Sequence, residues 1–263
     1  MTKLRIMRKI FLMCSILGWS LTLFSQSQYP IIEKLSYKGY YNWGIIWIHA
    51  GWVEFSLSKS DKYPTAEKLV AAGGTLPSWD WFFPIRDTLI SHHDPQTFKS
   101  YEFSRKAHEG KYHKTFDYRF DYRDSIVIGD IHRWGKYKRQ DTVKLLPDTY
   151  NMLSVAWMIR ELDFEKYKKK DLIPVRILID SKIYELYVRY LGVDKCKIDR
   201  HKYECYVFSP LLVEGEVFNG GENMKIWVSK DEYRLPLMME AKILVGSVKA
   251  ILNSDESQIG NVE

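Results

Sequence analysis

The chain has 263 residues, of which 46% are apolar, 15% aromatic and 27% charged, with 39 Lys and Arg against 33 Asp and Glu. These proportions exclude a disordered, collagenous or coiled-coil chain as the main state. The formal charge of +6 would suit a phosphate-tracking surface, but the placement of the cations removes that reading.

Lys3, Arg5, Arg8 and Lys9 form a positive start, Ile10 to Phe24 is almost wholly apolar, and Ser25-Gln26-Ser27-Gln28 is small and polar. That layout predicts a secretory signal peptide over residues 1–26. An apolar run of about 15 residues falls short of the roughly 20 that cross a bilayer, so no transmembrane anchor is expected after processing. Cys14 lies in mid-run behind Phe11-Leu12-Met13, where a lipoprotein signal does not place its cysteine. Processing subtracts four of the 39 cations and none of the 33 carboxylates, leaving 35 against 33 and a charge of +2. The densest basic run, Lys166 to Lys170, is offset by Glu161, Asp163, Glu165 and Asp171. No nucleic-acid partner is expected, because such a partner needs clustered surplus cations.

Residues 27–263 contain no repeat, low-complexity tract or long linker, and their length suits one all-β domain. Period-two patterning dominates. It predicts strands over Ile45 to Leu57, Ile126 to Ile128, Val175 to Ile179, Ile183 to Leu191, Lys202 to Phe208, Met224 to Ser229, Leu235 to Ala241 and Leu244 to Leu252. Ala66 to Ala72 mixes helix formers with strand-like surroundings and is taken as strand. Ser78-Trp79-Asp80-Trp81-Phe82-Phe83 reads as a tight helical turn entering Pro84, with Arg86 to Ser91 as the following strand. In Phe116, Tyr118, Phe120 and Tyr122 the rings alternate with Asp117, Arg119, Asp121 and Arg123, which is the pattern of a half-buried antiparallel strand.

One helix interrupts the strands. Asp148 after Pro147 is a suitable N-cap, and Thr149 to Leu162 is apolar except for a stripe of Asn151, Ser154 and Glu161, with Arg160 on another side. A helix so nearly apolar round its circumference is buried, and the concave side of a strongly curved sheet is the simplest place for it. Cys196 and Cys205 flank a hairpin. With Arg200-His201 as its two loop residues, 196 faces 205 in a non-hydrogen-bonded pair, close enough for a disulfide. A one-residue change of register would separate the two thiols.

Chemistry is sparse. There is no nucleophile elbow, and Gly73-Gly74 and Gly220-Gly221 lack the further glycine and lysine of a phosphate cradle. The histidines, among them His92, His93, His108 and His113, read as loop or strand-end residues, so neither a metal nor a cofactor is expected. Asp117 and Asp121 lie roughly 13 Å apart on a strand at about 3.3 Å per residue, too far for a glycosidase pair. No catalytic residue is assigned. The remaining signal is aromatic: 9 Trp, 18 Tyr and 12 Phe. If rings line an apolar groove rather than fill a core, Trp43, Trp47, Trp52, Trp79, Trp81 and Trp157 are the candidates to hold an acyl chain or other hydrophobic ligand.

Taken together, Ala50-Gly51, Asp80-Trp81-Phe82-Phe83-Pro84-Ile85-Arg86-Asp87, Leu153-Ser154 with Arg160-Glu161-Leu162-Asp163, Ile226 to Asp231, Pro236 and Gly246 to Ala250 resemble an exported bacterial family, domain of unknown function 3108. The resemblance implies a periplasmic or secreted β-rich domain, and by analogy of fold a half-barrel like those of lipoprotein carriers. It brings no catalytic residue, and the cysteine pair is not part of its pattern. The expectation is a mainly β protein whose curved antiparallel sheet wraps a buried helix and which binds a hydrophobic ligand, a lipid or an envelope partner without catalysis. Two other classes stay open: an envelope hydrolase built around Asp87, His92 and His93, and a structural component of an envelope assembly.

Overall fold

The computed structural model describes residues 32–260 except 44, 82–83, 134–136, 215–218 and 244–245. Residues 1–26, predicted as a signal peptide, and the rings of Phe82 and Phe83 therefore lie outside the described residues. The protein is mainly β. Its strands are β1 (Ile32–Trp43), β2 (Ile46–Lys59), β3 (Glu67–Thr75), β4 (Ile85–His93), β5 (Ser100–Glu109), β6 (Tyr112–Asp121), β7 (Ile126–Arg133), β8 (Tyr137–Lys144) and β9 (Thr149–Tyr150). After helix α1 (Met152–Arg160) come β10 (Leu172–Ile179), β11 (Lys182–Ile198), β12 (His201–Pro210), β13 (Leu212–Glu214), β14 (Asn219–Gly221), β15 (Met224–Ser229), β16 (Pro236–Lys242), β17 (Ser247–Leu252) and β18 (Gln258–Gly260).

Sixteen of these strands form one sheet, ordered β8-β7-β6-β5-β4-β3-β2-β1-β17-β16-β15-β12-β11-β10-β9, with β18 also on β1. Every pairing in this sheet is antiparallel except that of β9 with β10. The sheet curls without closing. Strand twist accumulates over so many strands, and β10 swings against the inner face of β6 and β7, where Leu178 packs with Val127 and Ile131. The Ser181 hydroxyl in the β10–β11 turn lies 3.3 Å from the Tyr118 hydroxyl. Both free edges carry devices against edge-to-edge association. β9 is two residues long, and β8 carries Lys138, Arg139, Asp141 and Lys144.

Helix α1 fills the hollow of this curl. Leu153 and Trp157 join the core of β2 to β7, whereas Val155, on the other side of the helix, joins Ile173, Val175, Val188 and Phe208. An apolar circumference is required because the helix touches two walls. A third apolar group, with Leu35, Tyr37, Ile198 and Leu252, packs around β1 and β17.

The helix starts later than its sequence predicts. Asp148 has φ 52°, a conformation that Asp tolerates in turns, and Thr149–Tyr150 is extended as β9. The cap is Asn151, whose side chain accepts from the Leu153 and Ser154 backbone N–H groups while the Ser154 hydroxyl accepts from the Asn151 N–H. This is a reciprocal capping pair. The predicted polar stripe is therefore an interior one. Asn151 and Ser154 are fully buried, and the Asn151 amide donates to the hydroxyls of Ser91 and Ser100, 2.7 Å from each. Ala156 is the helix residue that meets solvent.

Candidate functional site

One end of the sheet concentrates exposed apolar side chains. β3 ends opposite Gly51, so the first residues of β2 pair with β1 alone and the β1–β2 hairpin projects beyond β3, while β17 follows β1 as far as Tyr41. The chain then leaves β3 through a short 3-10 turn, Pro77–Trp79, beside that hairpin, because the Leu76 N–H donates to the Ala50 carbonyl at 2.8 Å. Ile45 is 97%, Trp81 79% and Ile46 62% exposed, whereas Trp47 and Trp52 show 36% and 37% of their surface. The Lys249 ammonium lies 4.3 Å from the centre of the Trp47 ring, a cation–π contact.

The Asp80 to Arg86 segment is a clamp that presents this end. Asp80 accepts from the Thr75 hydroxyl at 2.6 Å and from Arg86 Nη2 at 2.7 Å. These contacts hold the Asp80 carboxyl below the usual carboxylate range, Arg86 contributing most. Glycine is obligatory beneath the clamp: a Cβ on Gly74 would meet the Ile85 carbonyl oxygen at 2.4 Å, and one on Gly51 would meet the Gly74 carbonyl oxygen at 2.7 Å. The sheet is thus drawn in where the hairpin emerges.

The structure gathers some of the predicted aromatic residues and separates others. Trp47, Trp52 and Trp81 lie at this end, with Trp79 half-buried in the 3-10 turn. Trp43 closes β1 opposite Ile46. Trp157 is in the core beneath them, its ring 5.4 Å from that of Phe55 and 5.0 Å from the Arg160 guanidinium. The exposed Ile45 and Ile46 complete the patch; sequence reasoning takes Ile45 to Leu57 as a strand and does not single them out, although an apolar pair at a hairpin end is a signal that could have marked them.

Asp87, His92 and His93 do not converge. Asp87 and His93 are six residues apart on one strand, roughly 20 Å at about 3.3 Å per residue, and His92 faces the other side. Asp87 is held by Arg105 at 3.1 Å. The two adjacent histidines are buried, a correction to their reading as exposed strand-end residues. His93 instead meets a residue that sequence reasoning did not single out, Glu67, directly across β3 and β4, with 3.7 Å between Nε2 and Oε2. Burial, assisted by Glu161, Asp94 and Glu33, pushes the Glu67 carboxyl up to about 7. Burial pushes the His93 imidazole down to about 4. Between about pH 4 and 7 the pair is therefore uncharged, with its proton on Glu67. Among the described residues no group of three or more His, Cys, Asp or Glu side chains could hold a metal ion.

The cysteine hairpin turns one residue earlier than predicted. Asp199 has φ 51° and forms the two-residue loop with Arg200, so Cys196 pairs with Tyr203 and Cys205 with Asp194. The cysteines are diagonal neighbours on one face, buried as thiols with the sulfurs 3.2 Å apart. The hydrogen bond between them, together with burial, pushes the Cys205 thiol upward.

The family model described as "Protein of unknown function (DUF3108)" matches residues 36–253, nearly the whole described chain. The chain belongs to the DUF3108 family. Among solved structures this DUF3108 chain is similar to a β-barrel-like protein of domain of unknown function DUF1849 from Brucella abortus. The TM-score is 0.59 at 10% sequence identity, covering 89% of this chain and 99% of that one. At that identity the likeness concerns the fold, a curled β-sheet of the same kind. No curated protein matches the chain.

Proposed function

We propose that this DUF3108 protein is an exported, non-enzymatic domain of the cell envelope that binds lipid through the apolar end of its sheet. The observation that carries this reading is the grouping of Ile45, Ile46, Trp47, Trp52 and Trp81 on the surface of a protein whose hollow is filled by its own helix. Large apolar side chains exposed together at one end of a sheet mark an interaction site, and tryptophan beside lysine is the composition that settles at a membrane interface. The predicted signal peptide supports a place where lipid is available. The hydrolase reading loses its support, because Asp87 stands roughly 20 Å along β4 from His93, at about 3.3 Å per residue, and His92 faces the other side of the sheet.

The test is co-sedimentation of delipidated, processed protein with phospholipid vesicles, read together with tryptophan emission. The wild type is expected to sediment and to shift its emission to the blue. Burying one large apolar side chain is worth about 1.5–3 kcal/mol, so the triple variant Ile45→Ser/Ile46→Ser/Trp81→Ser is expected to bind at least tenfold more weakly at an unchanged melting temperature. A wild type that stays in the supernatant at saturating lipid overturns the reading. Capture of an envelope protein by the same end, without vesicle binding, transfers the surface to a protein partner.

A further inference from the structure

The outward-facing side of β4 to β7 carries a second feature, next to the apolar end. Two cross-strand rows lie there: Arg86, His108 and His113 in one, and Thr88, Lys106, Thr115 and His132 in the other. Together they line a depression of about 340 Å³ to which no carboxylate contributes a wall. The residues alternate with inward-facing ones such as Leu89 and Phe116, so strand pleating alone delivers them all to one face.

We propose that this depression binds the phosphate group of an anionic ligand. Its walls offer hydrogen-bond donors of the kinds that recognise phosphate: an ammonium, a guanidinium, imidazoles and two threonine hydroxyls. Arg86 is engaged with Asp80, which fixes its orientation. Lys106 makes no ion pair among the described residues and supplies the uncommitted charge. The His108 and His113 rings lie with centres 3.7 Å apart, so their ring nitrogens are presented together at one side of the depression. The surrounding carboxylates are one row away. Asp117 lies near enough to interact with His132 and Lys106, and Asp130 pairs with Arg119 at 3.2 Å.

The position of the depression identifies the class of ligand. In register across the outer face run Lys38, Trp52, Gly74, Arg86 and His108. The missing side chain of Gly74 leaves room for Arg86, whose Nη1 lies 3.2 Å from where a Cβ would stand. Only Gly74 thus lies between Trp52 of the apolar end and Arg86 in the wall of the depression. A phospholipid could place its acyl region on the tryptophans and its phosphate among Lys106, His108 and His132. This assignment to a headgroup rests on the lipid reading above, whereas phosphate binding by the depression does not.

The experiment uses calorimetric titration of the processed protein at low ionic strength with inorganic phosphate and with glycerol 1-phosphate. Vesicles of phosphatidylglycerol and of phosphatidylcholine are compared in parallel. The variants are Lys106→Gln/His132→Gln, Lys106→Arg and the apolar triple variant, with melting temperatures recorded for all. Glycerol 1-phosphate is expected to bind with a Kd on the order of 1 mM or tighter. The double variant should weaken it at least tenfold, Lys106→Arg should retain it, and the apolar triple variant should leave it unchanged. A preference for phosphatidylglycerol vesicles that disappears in the double variant identifies the lipid headgroup as the source. Soluble phosphate binding without vesicle binding keeps the site but removes the lipid reading. The proposal is overturned if neither soluble phosphate binds and the vesicle preference is the same in wild type and double variant; vesicle binding that persists then leaves the lipid reading intact.

Discussion

Replacing Arg160 by Met is expected to lower the stability of the protein by about 3–5 kcal/mol, the loss typical when one partner of a buried ion pair is removed. Arg160 is 2% exposed and Glu33 1% exposed. The guanidinium donates in a fork to both carboxylate oxygens, each at 2.8 Å, and its remaining donors reach the Tyr233 and Arg234 carbonyls at 3.0 Å. Arg234 returns the contact by donating to the carbonyls of Arg160 and Leu162, which are among the orphan acceptors at the end of α1. One side chain thus ties the helix to β1 and to the turn before β16.

In the Arg160→Met variant the Glu33 carboxylate stays buried without its counter-charge, and the cation over Trp157 is lost as well. Glu33→Met is expected to destabilise for the same reason, by leaving the guanidinium uncompensated. Glu33→Met/Arg160→Met, which removes both charges and keeps apolar volume, is expected to lose clearly less than the sum of the single changes. Urea unfolding of the four proteins measures the cycle. A loss below about 1 kcal/mol for Arg160→Met, at the level of a surface pair, would contradict the assignment of this pair to the interior.

The second large effect is a reversal of pH dependence at Glu67 and His93. The Glu67 carboxyl is raised from the usual 4.5 to about 7, so its contribution to stability is full below pH 4.5 and is lost as pH climbs towards 7. The His93 imidazole is lowered from the usual 6.5 to about 4, so its contribution is full above pH 6.5 and is lost as pH falls towards 4. Between these limits folded and unfolded states each hold one proton on the pair, and the two slopes cancel. Glu67→Gln leaves the histidine slope, and this variant is expected to lose about 3 kcal/mol relative to wild type on going from pH 6.5 to 4, at about 1.4 kcal/mol per pH unit. His93→Gln leaves the carboxyl slope and is expected to lose a similar amount from pH 4.5 to 7. Chemical unfolding across this range reads both. Variants that follow the wild-type curve in parallel would show that the pair does not carry these shifts.

The sheet was legible where burial is one-sided. In β6 the rings of Phe116, Tyr118 and Phe120 point inward and Asp117 and Arg119 outward, as their alternation predicts, and the boundaries of β15 coincide with the predicted Met224 to Ser229. The burial of α1 followed from its lack of a wide polar face. The polar positions of that helix were not legible, because Asn151 and Ser154 are satisfied by Ser91 and Ser100, some fifty to sixty residues away in sequence. β5 and β8 carry too many charges for their period to show: β8 is an edge strand, and β5 holds Arg105 on its inward side for Asp87 and Glu109. Turn register failed at Asp199 because a two-residue loop can shift by one residue within Asp199 to His201, and only the backbone conformation decides.

The site was half legible for a related reason. A list of tryptophans does not say which reach solvent. Trp157 and Trp81 look alike in sequence, yet one is clamped between Phe55 and Arg160 and the other is carried outward by the Asp80–Arg86 clamp. Glu67 was hidden because a glutamate in an alternating strand reads as a solvent residue until its partner across the strand is known to be a buried histidine.

Hydrogen–deuterium exchange of the processed protein with and without phospholipid vesicles tests most directly whether lipid meets the end of the sheet rather than its hollow. Slower exchange is expected, confined to residues 45–52 and 76–81 and their neighbours on β4 and β5, with residues 152–160 unchanged. Altered exchange in the helix and in the strands packed on it, or no change anywhere at saturating lipid, would contradict it.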